Sequence, residues 1–230
     1  MDRFLNFCPD RRETGKGGAR WALPFFFVAA LCAALAASAL ADDASVPPED
    51  PNLDAGVRVL QSSGGTSLNA LAADVGFPGV GKTWWLAGGG ATLTPGALRV
   101  QVAAWQGSLQ STAGPLSTYW GLTLADVTVE QRYPYGSFLF TAGTSLEVAQ
   151  LVGDFAEYNG LTGVDAPLYG TSAQLGVRWP AGTKLGFFLR GGWEWLTGRG
   201  AWRGTLAPQL GTTEFSLGGL TGTLQLELSY

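Results

Sequence analysis

The chain has 230 residues, with 14 Lys and Arg, 18 Asp and Glu, and no His. A net charge of −4 offers no basic face, which excludes a nucleic-acid binder. The missing His removes the commonest general base and a principal zinc ligand.

Residues 1–20 are polar and basic (Arg11, Arg12, Lys16, Arg20), and the apolar run WALPFFFVAALCAALAASAL follows. Ala39-Leu40-Ala41 then gives a small-x-small site, so residues 1–41 read as a secretory signal peptide. The run from Trp21 to Leu40 is also near the length of a membrane anchor, but its Ala-rich end favours cleavage. Leu31 before Cys32 argues against a lipoprotein. Cleavage leaves 230 − 41 = 189 residues without Cys8 or Cys32, hence without a disulfide framework. The segment DDASVPPEDPNLD (42–54) is acidic and Pro-rich and reads as a flexible lead-in to a domain over 55–230.

In TSLNALAADVG, Leu68, Leu71, Ala72 and Val75 recur at helical spacing, with Thr66 or Ser67 as cap and Gly76 as stop. GFPGVGKT (76–83) then matches the phosphate-binding pattern G-x-x-x-x-G-K-T. That chemistry needs a strand before the loop and a helix after it. Here a helix precedes, and WWLAGGGATLTPG, poor helix material, follows. The match is read as accidental, with Gly and Pro serving as turn residues.

Period-two alternation marks eight strands near 55–62, 83–93, 97–107, 119–131, 136–148, 168–179, 184–196 and 215–230. Leu98, Val100 and Val102 oppose Arg99 and Gln101. Leu185, Phe187, Leu189, Trp193 and Trp195 oppose Lys184, Arg190 and Glu194. In YWGLTLADVTVEQ the apolar residues change phase near Ala125, which suggests a bulge. Tight turns (94–97, 132–136, 180–183) alternate with longer links (63–82, 108–118, 149–167, 197–214). Short turns at one end and long links at the other describe an up-and-down meander of the transmembrane β-barrel kind.

On that topology Trp84, Trp85, Trp105, Trp120, Tyr169, Trp193, Trp195 and Phe215 gather at one end. Tyr133, Tyr135, Trp179 and Tyr230 gather at the other. These are the two aromatic girdles expected at membrane interfaces. The fold class is therefore all-β: an eight-stranded antiparallel up-and-down transmembrane β-barrel with one short helix in an extracellular link. Its interior is wide enough only for its own side chains. Arg99, Glu147, Arg178, Arg190, Glu194 and Glu227 form the expected polar cluster there, with Gln101, Gln174, Lys184 and Gln225 beside them.

The last residues, GTLQLELSY, resemble the C-terminal signal of bacterial outer-membrane β-barrels, with Leu224, Leu226 and Leu228 alternating before a terminal Tyr230. The resemblance implies a bacterial outer-membrane location, contact with its lipid, and transient recognition by the barrel-assembly machinery. It points to the small eight-stranded barrels. No spacing pairs a nucleophile with an orienting base, and no cofactor or metal is expected; Asp154, Glu157 and Asp165 read as solvated surface rather than a calcium site. The leading expectation is a non-enzymatic structural or surface-interaction element. The alternative is a narrow channel or transporter for small or hydrophobic solutes. A secreted soluble β-barrel is disfavoured by the apolar side chains it would expose.

Overall fold

The computed structural model describes residues 49–64, 68–157, 160–180 and 183–229. The expected signal peptide, the capping residues Thr66 and Ser67, and Tyr230 lie outside the described residues. In chain order the elements are β1 (Glu49–Gly64), α1 (Leu68–Asp74), β2 (Thr83–Thr94), β3 (Leu98–Ala113), β4 (Leu116–Tyr135) and β5 (Phe138–Glu157). Then come β6 (Gly160–Trp179), β7 (Leu185–Gly204), α2 (Ala207–Leu210), β8 (Thr212–Ser216) and β9 (Gly218–Ser229).

All pairings are antiparallel. Each strand from β1 to β7 pairs with the next, β7 pairs with both β8 and β9, and β9 returns to β1. β8 and β9 lie in line along β7, and the Leu217 N–H between them still donates to Leu196 O at 2.9 Å. The hydrogen bonding is thus ring-like, with eight strand positions. Partners can be followed round it through Asn52, Thr92, Gln101, Thr128, Ser145, Ser172, Glu194, Gly219 and Ser62. The circuit returns to β1 displaced by 62 − 52 = 10 residues. A stagger of this kind obliges the strands to tilt about 35–45° from the ring axis and is compatible with a β-barrel.

The strands run beyond the expected boundaries. The segments 108–118 and 149–167 are not long links: β3 and β4 continue to a tight turn at Gly114-Pro115, and only residues 158–159 separate β5 from β6. Most of 197–214 is likewise strand, with α2 at its turn. At the start, β1 takes in residues 49–54, because Asn52 and Asp54 place buried side chains on the inner face. The suspected bulge at Ala125 is absent, as β4 pairs without a register shift on both sides.

That unbroken alternation explains the change of phase. Leu122 and Leu124 point inward on the same face as Asp126, Thr128 and Glu130, while Val127 and Val129 point outward. The chain keeps its phase while the apolar set changes face. Inside the ring, the half nearest the turns that follow β2, β4 and β6 (the lower half) is polar, and the upper half is an apolar core. Trp120 packs edge-on against Phe155 and Trp202, with ring centroids 5.9 and 6.0 Å away, and Phe155 stacks on Trp202 at 5.1 Å. Trp84, Trp105, Trp120 and Phe215 therefore belong to this interior and not to the expected outer girdle. Gly153 faces Trp120 because any Cβ there would lie 2.2 Å from the indole ring.

The link between β1 and β2 packs onto the same core. Leu68, Leu71 and Ala72 give α1 one buried face. Gly76, at φ +79°, turns the chain out of the helix, and Phe77 N–H donates to Ala72 O at 2.8 Å. Phe77 stacks on Phe155 at 4.9 Å, and the buried Val80 donates its N–H to Asn69 Oδ1 at 2.7 Å. GFPGVGKT is thus a helix stop followed by a core-packing loop. Lys82 is exposed and Thr83 opens a strand. Phe77→Ala should destabilise the protein by about 3 kcal/mol, since it deletes a buried ring. Urea unfolding measures this, and a loss below about 1 kcal/mol would mean that the loop does not seal the core.

Candidate functional site: the buried charged interior

Inward positions on adjacent strands bring charged side chains together in two groups. In the lower group Arg190 clasps Glu130 with two donors, Nε to Oε1 at 2.9 Å and Nη2 to Oε2 at 3.0 Å. Arg99 Nη1 donates to the same carboxylate at 2.8 Å, and its Nη2 donates to Glu227. Arg178 Nε lies 2.9 Å from Glu227 Oε2 without the alignment of a hydrogen bond, while its Nη2 donates to Thr183 O at 2.8 Å. Phe188 sits between the Arg99 and Arg190 guanidinium groups, 4.2 and 4.3 Å from its ring centre. Its π faces offset part of the like-charge repulsion between them. Asp54 accepts from Gln101 Nε2 and Gln225 Nε2, each at 2.7 Å, and from Thr92 Oγ1 at 3.2 Å.

The upper group centres on Arg58. Its Nη1 donates to Asp126 Oδ2 at 3.0 Å, and its Nη2 to Glu147 Oε1 at 2.7 Å and Glu194 Oε2 at 2.5 Å. Trp105 Nε1 adds a bond to Asp126 Oδ2 at 2.8 Å, and Thr128 Oγ1 reaches Oδ1 at 3.1 Å. Ser145 Oγ donates to Glu147 Oε1 at 2.7 Å and shares a 2.6 Å hydrogen bond with Ser172.

All six residues of the expected cluster are buried on the inner face, in two groups: Arg99, Arg178, Arg190 and Glu227 below, Glu147 and Glu194 above. The carboxylate that Arg190 clasps lies outside that expected cluster. Glu130 pairs with Arg190, because Glu147 and Glu194 stand higher and are engaged by Arg58. Lys184 lies exposed at the turn before β7 and does not enter the interior.

Sequence reading missed Arg58, Asp54, Asp126, Glu130 and Phe188. The signal for Glu130 was present, since it lies opposite Val127 and Val129 in DVTVE. Asp126 was hidden by the change of apolar face, and Asp54 by the acidic composition of its surroundings. Leu224, Leu226 and Leu228 form an exposed outward row on β9.

Ser145, which donates to Glu147, and its neighbour Ser172 are each 1% exposed. Among the described residues, no group of three or more His, Cys, Asp or Glu is placed to hold a metal ion. What the arrangement does chemically is cross-link eight strands through an almost dry ionic lattice. No protein-family model matches the chain, and no curated protein is found similar to it.

Breaking a buried pair by removing one partner is far costlier than never having built it. Arg190→Leu should therefore cost about 3–5 kcal/mol, and pairing it with Glu130→Gln should recover part of that loss. A double-mutant cycle on urea unfolding reads both numbers. Additive losses would show that the two side chains act independently.

Proposed function

We propose that the chain is an eight-stranded transmembrane β-barrel of a bacterial outer membrane, acting as a non-enzymatic structural or surface-interaction element with a closed interior. The observation that carries this reading is a reversal of polarity at one level of the ring. Below it the outer face is apolar and the inner face charged; above it the inner face is apolar and the outer face polar. The switch falls near Ala125 on β4, between Val148 and Ala149 on β5, between Leu168 and Tyr169 on β6, and between Trp195 and Leu196 on β7. A protein surrounded by water throughout has no reason to reverse both faces together. One that leaves a lipid layer partway up does.

The dimensions support the same reading. Tyr169 and Trp179 are both exposed on β6, and 179 − 169 = 10 residues apart. At about 3.3 Å per residue and a tilt near 43°, they are separated by roughly 24 Å along the axis, close to the apolar band of outer-membrane barrels. Trp85, Trp193 and Trp195 accompany Tyr169 at the upper level, and Tyr133 and Tyr135 accompany Trp179 at the lower. Between the levels Leu146 and Leu175, each 69% exposed, present surfaces that a soluble monomer does not tolerate in such number. Strands of 20 residues exceed the 9–11 that a bilayer requires, so about half of each would project as a water-exposed extension.

The exposed Leu224, Leu226 and Leu228 give the final strand the outward row that suits recognition by the assembly machinery. The filled interior, ionic below and aromatic above, supports a closed element over a channel.

Phe187 points outward within the band, and an Arg at a lipid-facing midplane position costs about 2–4 kcal/mol. Phe187→Arg should impair insertion or stability. Leu196, near the upper level, cannot serve as a tolerant control because it is buried inside. Val152 can, since it is exposed above the polarity switch. Val152→Arg should be nearly neutral, with the parent protein in the detergent-extracted membrane fraction. Equal tolerance at both positions and a soluble parent would refute the proposal.

A further inference from the structure

The buried charges of the upper group do not balance. Among the described residues, Arg58 alone faces three buried carboxyl groups there (Asp126, Glu147, Glu194), so 1 − 3 = −2, whereas below Arg99, Arg178 and Arg190 match Asp54, Glu130 and Glu227 in number. An uncompensated charge in a nearly dry interior is expensive, and the least costly remedy is a proton.

The geometry points to where that proton resides: we infer that Glu147 and Glu194 form a carboxylic acid–carboxylate pair holding one proton between them. The inference rests on the interior alone and stands whether or not the outer face meets lipid.

The lower group offers no need for a proton. Arg99, Arg178 and Arg190 face Glu130 and Glu227, and Asp54 has amide or hydroxyl donors on both oxygens. In the upper group one guanidinium serves three carboxyls. Asp126 is satisfied at both oxygens by Arg58, Trp105 and Thr128. The glutamates are not: Glu147 Oε2 and Glu194 Oε1 are buried and accept nothing, although both side chains are fully enclosed. Their other oxygens meet at a single nitrogen, Arg58 Nη2, at 2.7 and 2.5 Å, so these two oxygens lie no more than 2.7 + 2.5 = 5.2 Å apart. Two ionised carboxylates in that position would repel each other across two empty acceptor sites. One proton supplies a missing donor and halves the surplus charge of the upper group.

The inward side chains around the pair come from seven strands. β1 presents Arg58, β4 Asp126, β5 Glu147 and β7 Glu194, with Arg190 one layer below. β3 presents Trp105, β6 Ser172 and Gln174, and β9 Thr221 and Thr223, none of them charged.

Infrared spectroscopy of the refolded full-length protein at neutral pH tests this without any substitution. Expected is a protonated-carboxyl C=O band equal to one group per chain, displaced by ¹³C-labelled Glu and unmoved by ¹³C-labelled Asp. Glu194→Gln, which keeps the shape of the neutral acid, or Glu147→Gln should remove it. The inference is overturned if wild type shows no such band, if the band follows Asp labelling, or if it persists unchanged in both variants.

Discussion

The whole structure answers to one constraint: a sheet that hydrogen-bonds into a ring encloses a space it must then fill. Eight strands staggered by ten residues surround an interior only about as wide as the side chains pointing into it. Every second residue of every strand is thereby committed to that interior, whatever its chemistry. Where the inward residues are charged, they must find partners; where they are apolar, they must interdigitate. The Arg190–Glu130 clasp and the Trp120–Phe155–Trp202 stack are two solutions to the same requirement. Gly153 belongs to the second solution, since the indole of Trp120 occupies the place its side chain would take.

Ionic filling below and aromatic filling above give the ring unlike halves. The lower half is cross-linked by directional charge-assisted bonds, which fix strand register but tolerate little change. The upper half is sealed by packing, with α1, Phe77 and Val80 over its core. In the proposed barrel the charged lattice lies at the depth of the bilayer and the apolar core in the extension beyond it. Each half thus has an inner face opposite in character to the surroundings outside.

This inversion also explains which features were legible in the sequence. The lower halves of the strands show clean alternation, so Arg99, Arg178, Arg190 and Glu194 could be assigned inward from pattern alone. Above the switch, residues such as Gln106, Ser108 and Gln110 on β3 or Asp165 on β6 face outward, while the inward ones are small or apolar. Mixed with Gly, Pro, Ser and Thr, those stretches resemble links, and the strand ends were misread accordingly. The same effect imitated a bulge at Ala125 and moved Trp84, Trp105, Trp120 and Phe215 onto the wrong face. Arg58 escaped notice for another reason: three of its partners lie 68 to 136 residues away, and no local pattern announces that convergence.

The central claim is that β6 faces lipid on one side and a closed interior on the other over its lower half. With Cys8 and Cys32, the two cysteines of the chain, replaced by Ser, single cysteines can be introduced along β6 and labelled with nitroxides. In lipid vesicles, labels at 169, 171, 173, 175, 177 and 179 should collide with dissolved oxygen most strongly near Leu175 and with a water-soluble nickel chelate most strongly at the two ends. Labels at 172, 174 and 176 should meet neither reagent. Uniform access of the nickel chelate along the odd positions, or its free access to the even ones, would contradict the account.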